Sequence, residues 1–139
     1  ASVDFVLQHL KTMRGYEIFV PKIPSYRILD VAKAIAPECE IREVGSRQGD
    51  KIHEELVTSH EAVSTFEYDH HFVILPSTAH LKKYKVNGNG HAARVCGYGF
   101  TYTSGNNQHF LAVDEIRNLI EKTLGINLTS NDFAQVANN

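Results

Sequence analysis

The chain has 139 residues, a formal charge of −2 at neutral pH and 42% hydrophobic residues, which is one domain's worth of sequence with enough apolar side chain for a modest core. The near-neutral balance and the lack of a Lys/Arg-rich run argue against nucleic acid as a partner. No apolar run approaches the ~20 residues that a membrane-spanning helix needs.

Ser2 is a suitable cap for a first helix running to about Arg14. Val3, Val6, Leu7, Leu10 and Met13 fall on one face of it, a core or interface stripe, and Gly15 ends it. A short strand follows over 17–21, with Ile18 and Val20 on one side and Phe19 on the other, and Pro21 and Pro24 fix its exit. Ser25 is then positioned to cap a second helix through Ala36, with Ile28, Leu29, Ala32 and Ile35 inward and Pro37 as its stop. Ile41 and Val44 alternate with charged neighbours, as in a half-buried strand. Strand, helix and strand over 17–45 predict an α+β fold, a small mixed sheet with helices packed against it.

The next stretch carries the chemistry. Arg47, Gly49 and Asp50 form a turn. Arg47 is a planar five-donor cation suited to phosphate or carboxylate, and Asp50 is an acceptor for a hydroxyl pair. Gly49 lets the backbone take conformations closed to other residues and lets a ligand come close. A cation and a carboxylate this near each other are a grip for a nucleoside diphosphate; equally, the two side chains simply pair on a solvated turn.

Beyond Leu56 the sequence is polar, with a short helix expected from Ser59 and a strand over 72–75 closed by Pro76. Residues 77–107 are rich in Gly, Asn, Tyr and Lys with little periodicity, and Asn87-Gly88-Asn89-Gly90 reads as a turn or loop. Phe110 to Leu124 is the clearest helix, with Val113, Ile116, Leu119, Ile120 and Leu124 inward and Gly125 at its end. A last short helix is expected over Asn131–Ala137. This divides the chain into a binding domain (1–76), an irregular latch-like segment (77–108) and a C-terminal helical segment (109–139).

Other chemistry finds little support. Asp69-His70-His71 is the densest cluster of metal-ligating types, but neighbours on a strand point to opposite faces, and no HExxH pattern accompanies them, so no metal site is assigned. His53 with Glu54 and Glu55 is a possible acid/base group without a visible partner. Gly97-Tyr98-Gly99 and Gly88-Asn89-Gly90 lack the following helix that dinucleotide binding needs, so no cofactor-binding residue is assigned. Cys39 and Cys96 have neither CxxC spacing nor a base partner and read as free thiols in a reducing compartment, with the cytoplasm expected. No signal-peptide pattern is present. With Ala1 in first place and Met13 the only methionine, the chain is expected to be a piece of a longer protein.

Three runs together, Tyr16-Glu17-Ile18-Phe19-Val20-Pro21-Lys22-Ile23-Pro24-Ser25, Asp30-Val31-Ala32-Lys33-Ala34-Ile35-Ala36-Pro37 and Arg47-Gln48-Gly49-Asp50-Lys51-Ile52-His53-Glu54-Glu55-Leu56, resemble the UDP-N-acetylglucosamine 4,6-dehydratases of bacterial surface-sugar synthesis, including the inverting, 5-epimerising kind. These belong to the extended short-chain dehydrogenase/reductase superfamily. The resemblance is continuous from about Ser2 to Tyr68 and covers the family's C-terminal, substrate-binding portion. It implies that Arg47 contacts the UDP diphosphate, that Asp50 holds the ribose hydroxyls, and that Glu54 and Lys22 lie near the sugar and nucleotide. Ser46 and Gln48 depart from the family pattern, which has an aliphatic residue and Pro there, so the turn is less preorganised.

The resembled reaction oxidises the sugar at C4 with bound NADP, eliminates water across C5 and C6 and returns the hydride. Its Gly-rich loop and Tyr/Lys pair have no counterpart here. The resemblance therefore implies a UDP-sugar-binding part with no catalytic residue and no cofactor of its own, NADP being expected in a separate N-terminal Rossmann domain, and a homo-oligomer as a further partner. The alternative is a stand-alone, non-catalytic nucleotide-sugar-binding or oligomerisation module.

Overall fold

The computed structural model describes residues 2–77 and 94–128. They fall into two compact units interleaved along the chain: residues 2–23, 53–77 and 94–106 form one, and residues 24–52 and 107–128 the other. The expected turn at 87–90 and the expected helix at 131–137 lie outside the described residues.

The first unit holds helix α1 (Ser2–Thr12) and strand β1 (Ile18–Pro21), then β2 (Glu55–Val57), a 3-10 turn (Ala62–Ser64), β3 (Thr65–Glu67), β4 (His71–Ile74), β5 (Arg94–Val95) and β6 (Tyr102–Thr103). Four strands make one antiparallel sheet in the order β1-β4-β3-β5, with Phe19 opposite Val73 and Phe66 opposite both Val73 and Val95. Pro21 is tolerated because β1 is an edge strand, where a missing ladder donor costs little. β2 and β6 pair separately, with a register shift between Glu55 and Val57. Strand alternation buries both faces of the larger sheet. On one, Val20, Phe72 and Ile74 pack with Val57, Ala62, Cys96 and Tyr102; on the other, Phe66, Val73 and Leu75 pack with Phe19, Tyr68 and Val95. The Tyr102 hydroxyl accepts from the Ile23 backbone N–H at 3.1 Å and donates to its carbonyl at 3.0 Å, which satisfies a phenol brought into the core.

α1 does not bury the stripe its spacing predicts. Val3, Val6, Leu7, Leu10 and Met13 are all exposed, between 45% and 69%, and His9 is the residue turned inward. Helical spacing shows that a face is apolar without saying which partner covers it, and none among the described residues of this unit does.

The second unit pairs α2 (Ile28–Ile35) with α3 (Val113–Leu124). Ala34 is the fully buried residue of α2, Ala32 and Ile35 are half-buried, and Ile28 and Leu29 are exposed; the Ala34 carbonyl accepts from Arg117 Nε at 2.9 Å. Ile116 is the buried residue of α3, whereas Leu119 and Leu124 are exposed. The N-terminal end of α3 is closed by Glu115, whose carboxylate accepts from the Ala112 backbone N–H at 2.8 Å, and Gly125 ends the helix in a left-handed conformation. Ser25 does not cap α2. Its backbone bridges the 109–111 segment, accepting from Leu111 N–H and donating to the His109 carbonyl, and its hydroxyl accepts from Asn107.

The α+β class holds, but the strand expected at 41–44 is absent and both sheets are antiparallel. Residues 37–52 carry neither helix nor strand and all are exposed. Alternation gives a segment the capacity to pair, and pairing needs a neighbouring strand, which the described residues of this unit do not offer. The short helix expected from Ser59 is the 3-10 turn at 62–64, and the described part of the irregular segment contains β5 and β6.

Candidate functional site: a polar turn at Arg47–Asp50

The Arg47–Asp50 turn lies in the exposed segment of the second unit. Its own backbone closes it: Asp50 N–H donates to the Arg47 carbonyl at 3.1 Å, and Gly49 takes a φ of 95°, a region that side chains rarely adopt. The Asp50 carboxylate then reaches back, and its Oδ2 accepts from the Arg47 backbone N–H at 2.7 Å. The reach back over three residues parallels the carboxylate of a capping box, which holds the backbone N–H three positions earlier. It shows which atoms of the pair meet. Asp50 binds the backbone of Arg47 and not its guanidinium, so the five guanidinium donors and Asp50 Oδ1 have no hydrogen bond among the described residues. The nearby Arg42 is, by contrast, occupied by Glu40 at 3.1 Å.

Glu54 and Lys22 belong to the first unit. The Glu54 backbone is tied to Ser104, donating to its hydroxyl at 3.0 Å and accepting from its N–H at 2.8 Å, while the exposed Glu54 carboxylate has no bond among the described residues. Beside it the His53 ring lies against Gly105, where an added Cβ would come within 2.7 Å of the imidazole. Lys22 is engaged: its Nζ donates to Glu67 Oε1 at 2.9 Å and sits 4.9 Å from the centre of the Phe72 ring. Arg94 holds the other Glu67 oxygen at 3.2 Å. The hydrogen bond from Lys22, ahead of the Lys22 and Arg94 charges, keeps the Glu67 carboxyl below its usual range against the opposing effect of burial.

Nucleophilic, metal and cofactor roles gain little from the geometry. Burial pushes the Cys96 thiol up to about 11, so it stays protonated and inert at neutral pH. No group of three metal-ligating side chains occurs among the described residues. Gly97-Tyr98-Gly99 is a tight turn, closed by Phe100 N–H on the Gly97 carbonyl, that leads into β6 and not into a helix, so these residues do not fit a dinucleotide phosphate. The histidine that sequence reasoning missed is His9. It lies off the apolar stripe of α1, yet its ring centre sits 4.6 Å from that of His71, whereas sequence adjacency draws attention to His70.

The fold and this turn define an α+β module in which the exposed Arg47 guanidinium and one Asp50 oxygen have no hydrogen bond among the described residues. The polysaccharide biosynthesis protein family matches residues 1–76, and the chain belongs to that family. It is 36% identical over 127 residues to a UDP-N-acetylglucosamine 4,6-dehydratase (inverting) of Campylobacter jejuni serotype O:2, covering 89% of this chain and 38% of that protein. A second such dehydratase, from Campylobacter jejuni serotype O:23/36, is 34% identical over the same shares. Among solved structures, Pen from Bacillus thuringiensis superposes with a TM-score of 0.65 at 26% identity, over 88% of this chain and 36% of that one. The chain thus spans 38% of the length of these curated relatives. The resemblance drawn from the three sequence runs holds. Among the described residues, no helix is long and apolar enough to cross a membrane.

Proposed function

We propose that this chain is the UDP-sugar-binding part of a 4,6-dehydratase-like enzyme of polysaccharide biosynthesis. The observation that carries the proposal is the split duty of Asp50. One oxygen sets the turn through the Arg47 backbone, which leaves the Arg47 guanidinium for a diphosphate and Asp50 Oδ1 for a ribose hydroxyl. Glu54 and Lys22 belong to the first unit and stand apart from this grip as separate candidates for polar contacts, Lys22 being already held by Glu67. In this reading the hydride chemistry and its NADP belong to an N-terminal Rossmann domain of the longer enzyme, and the exposed apolar face of α1 is a seat for that domain or for a further copy in an oligomer. The unpaired thiols Cys39 and Cys96 favour the cytoplasm.

Calorimetric titration with UDP tests the reading. A charged hydrogen bond is worth about 1.5–3 kcal/mol, so Arg47→Ala is expected to lower affinity about tenfold or more, and Arg47→Lys to restore only part of it because the planar fork is lost. Equal affinity in wild type and Arg47→Ala would overturn the assignment.

A further inference from the structure

Two imidazoles meet where α1 packs on the sheet. His9 is the buried residue of α1, and His71 opens β4. A backbone carbonyl only accepts, so the 2.8 Å contact between His9 Nδ1 and the Phe5 carbonyl places a proton on Nδ1. The His9 ring is 4.1 Å from Phe5, 4.3 Å from Phe19 and 4.6 Å, edge to face, from His71. Tyr68 stacks on His71 at 4.8 Å with the rings parallel to within 3°. Because the apolar stripe of α1 points to solvent, this aromatic and imidazole cluster is what α1 sets against the sheet.

We propose that the His9–His71 contact is an acid-released clasp: a proton entering His71 detaches α1 from the sheet while β3 and β4 stay paired. The cation formed would stand in ring contact with His9. Lys22 from the end of β1 and His70 from the β3–β4 turn also bear on His71 and oppose a positive charge. The acids nearby are Asp69, in the cleft of about 230 Å³ that Phe5, His9, Tyr68 and both histidines line, and Glu17, in the groove on the other side of His9. Glu17 spends one oxygen on the Arg14 backbone N–H at 2.9 Å, and its other oxygen is buried without a hydrogen bond.

Burial, followed by the His9, His70 and Lys22 charges, lowers His71 from 6.5 to about 4, roughly a 300-fold loss of proton affinity. A base depressed in the folded state stabilises that state fully above its unfolded value of 6.5, and the contribution drains away as pH falls from 6.5 towards 4. An eleven-residue helix released from its packing is too short to persist in water, so release is read as loss of helical signal.

The test is an NMR titration of the chain from pH 7 to 4, following carbon shifts of residues 2–12, amides of β3 and β4, and the His71 ring. We expect α1 to lose its helical shifts with the His71 titration while the β3–β4 amides persist, and His71→Phe to keep α1 helical to pH 4. Should His71→Phe fail to fold, His9→Phe, which removes the neighbouring imidazole, is expected to move the midpoint to lower pH. A wild-type α1 intact at pH 4, joint loss of α1 and the sheet, or an unshifted midpoint in the variant that folds would each overturn the clasp.

Discussion

The sheet core and the Arg47–Asp50 turn solve opposite problems. In the core, Val57, Thr65, Phe66 and Val73 are shut off from water, and every change of volume is felt by packed neighbours. Around the turn, residues 37–52 are exposed throughout, Val44 at 94% and Ile52 at 91%, and the turn is closed by hydrogen bonds between Arg47 and Asp50. One region holds the fold and carries no free chemistry; the other has free chemistry and little packing. Stability and binding should therefore respond to different substitutions.

The sharpest way to break that contrast is at Phe66. Phe66→Ala is expected to cost about 3–5 kcal/mol, a large share of a small unit's stability, seen as a lowered urea midpoint. A cost below about 1 kcal/mol would mean that the sheet is not the stabilising region. Next comes Arg47→Ala, where the loss should appear in UDP affinity, with the urea midpoint held to within about 0.5 kcal/mol of stability. Glu67 sharpens the contrast from the core side. Its carboxyl is depressed by Lys22 and Arg94, so its contribution is present above about 4.5 and is lost as pH falls through its folded-state value. Glu67→Gln should cost about 1 kcal/mol at neutral pH and flatten the acid limb of the stability curve, measured by urea unfolding at several pH values. The smallest effect is expected at Val44→Ser, within about 0.5 kcal/mol, because the side chain has almost no contact to lose.

Local chemistry was readable where it acts locally. Gly15 and Gly125 mark the ends of α1 and α3 within a few residues, and the β1 and β4 strands fall within a residue of their expected spans. What failed was the choice of neighbour. The α1 stripe is apolar yet exposed, α2 buries small Ala34 where Ile28 and Leu29 looked the better core, and the 41–44 alternation pairs with no strand among the described residues. Each of these depends on a surface the segment does not itself encode. The site shows the same division. Arg47 and Asp50 stand out as candidates from residue type and spacing, and the geometry adds that Asp50 takes the Arg47 backbone N–H, with no hydrogen bond to the guanidinium among the described residues. His9 and His71, 62 positions apart, meet through tertiary packing that no local pattern announces.

The central claim is that the turn is a nucleotide grip built on the Arg47 side chain. Amide shifts on titration with UDP, recorded for wild type beside Arg47→Ala, test it most directly. The account predicts shifts concentrated over residues 45–56 in the wild type and their loss in a variant whose other resonances are unchanged. Wild-type shifts that survive unaltered in Arg47→Ala, or an Arg47→Ala chain that unfolds, would contradict it.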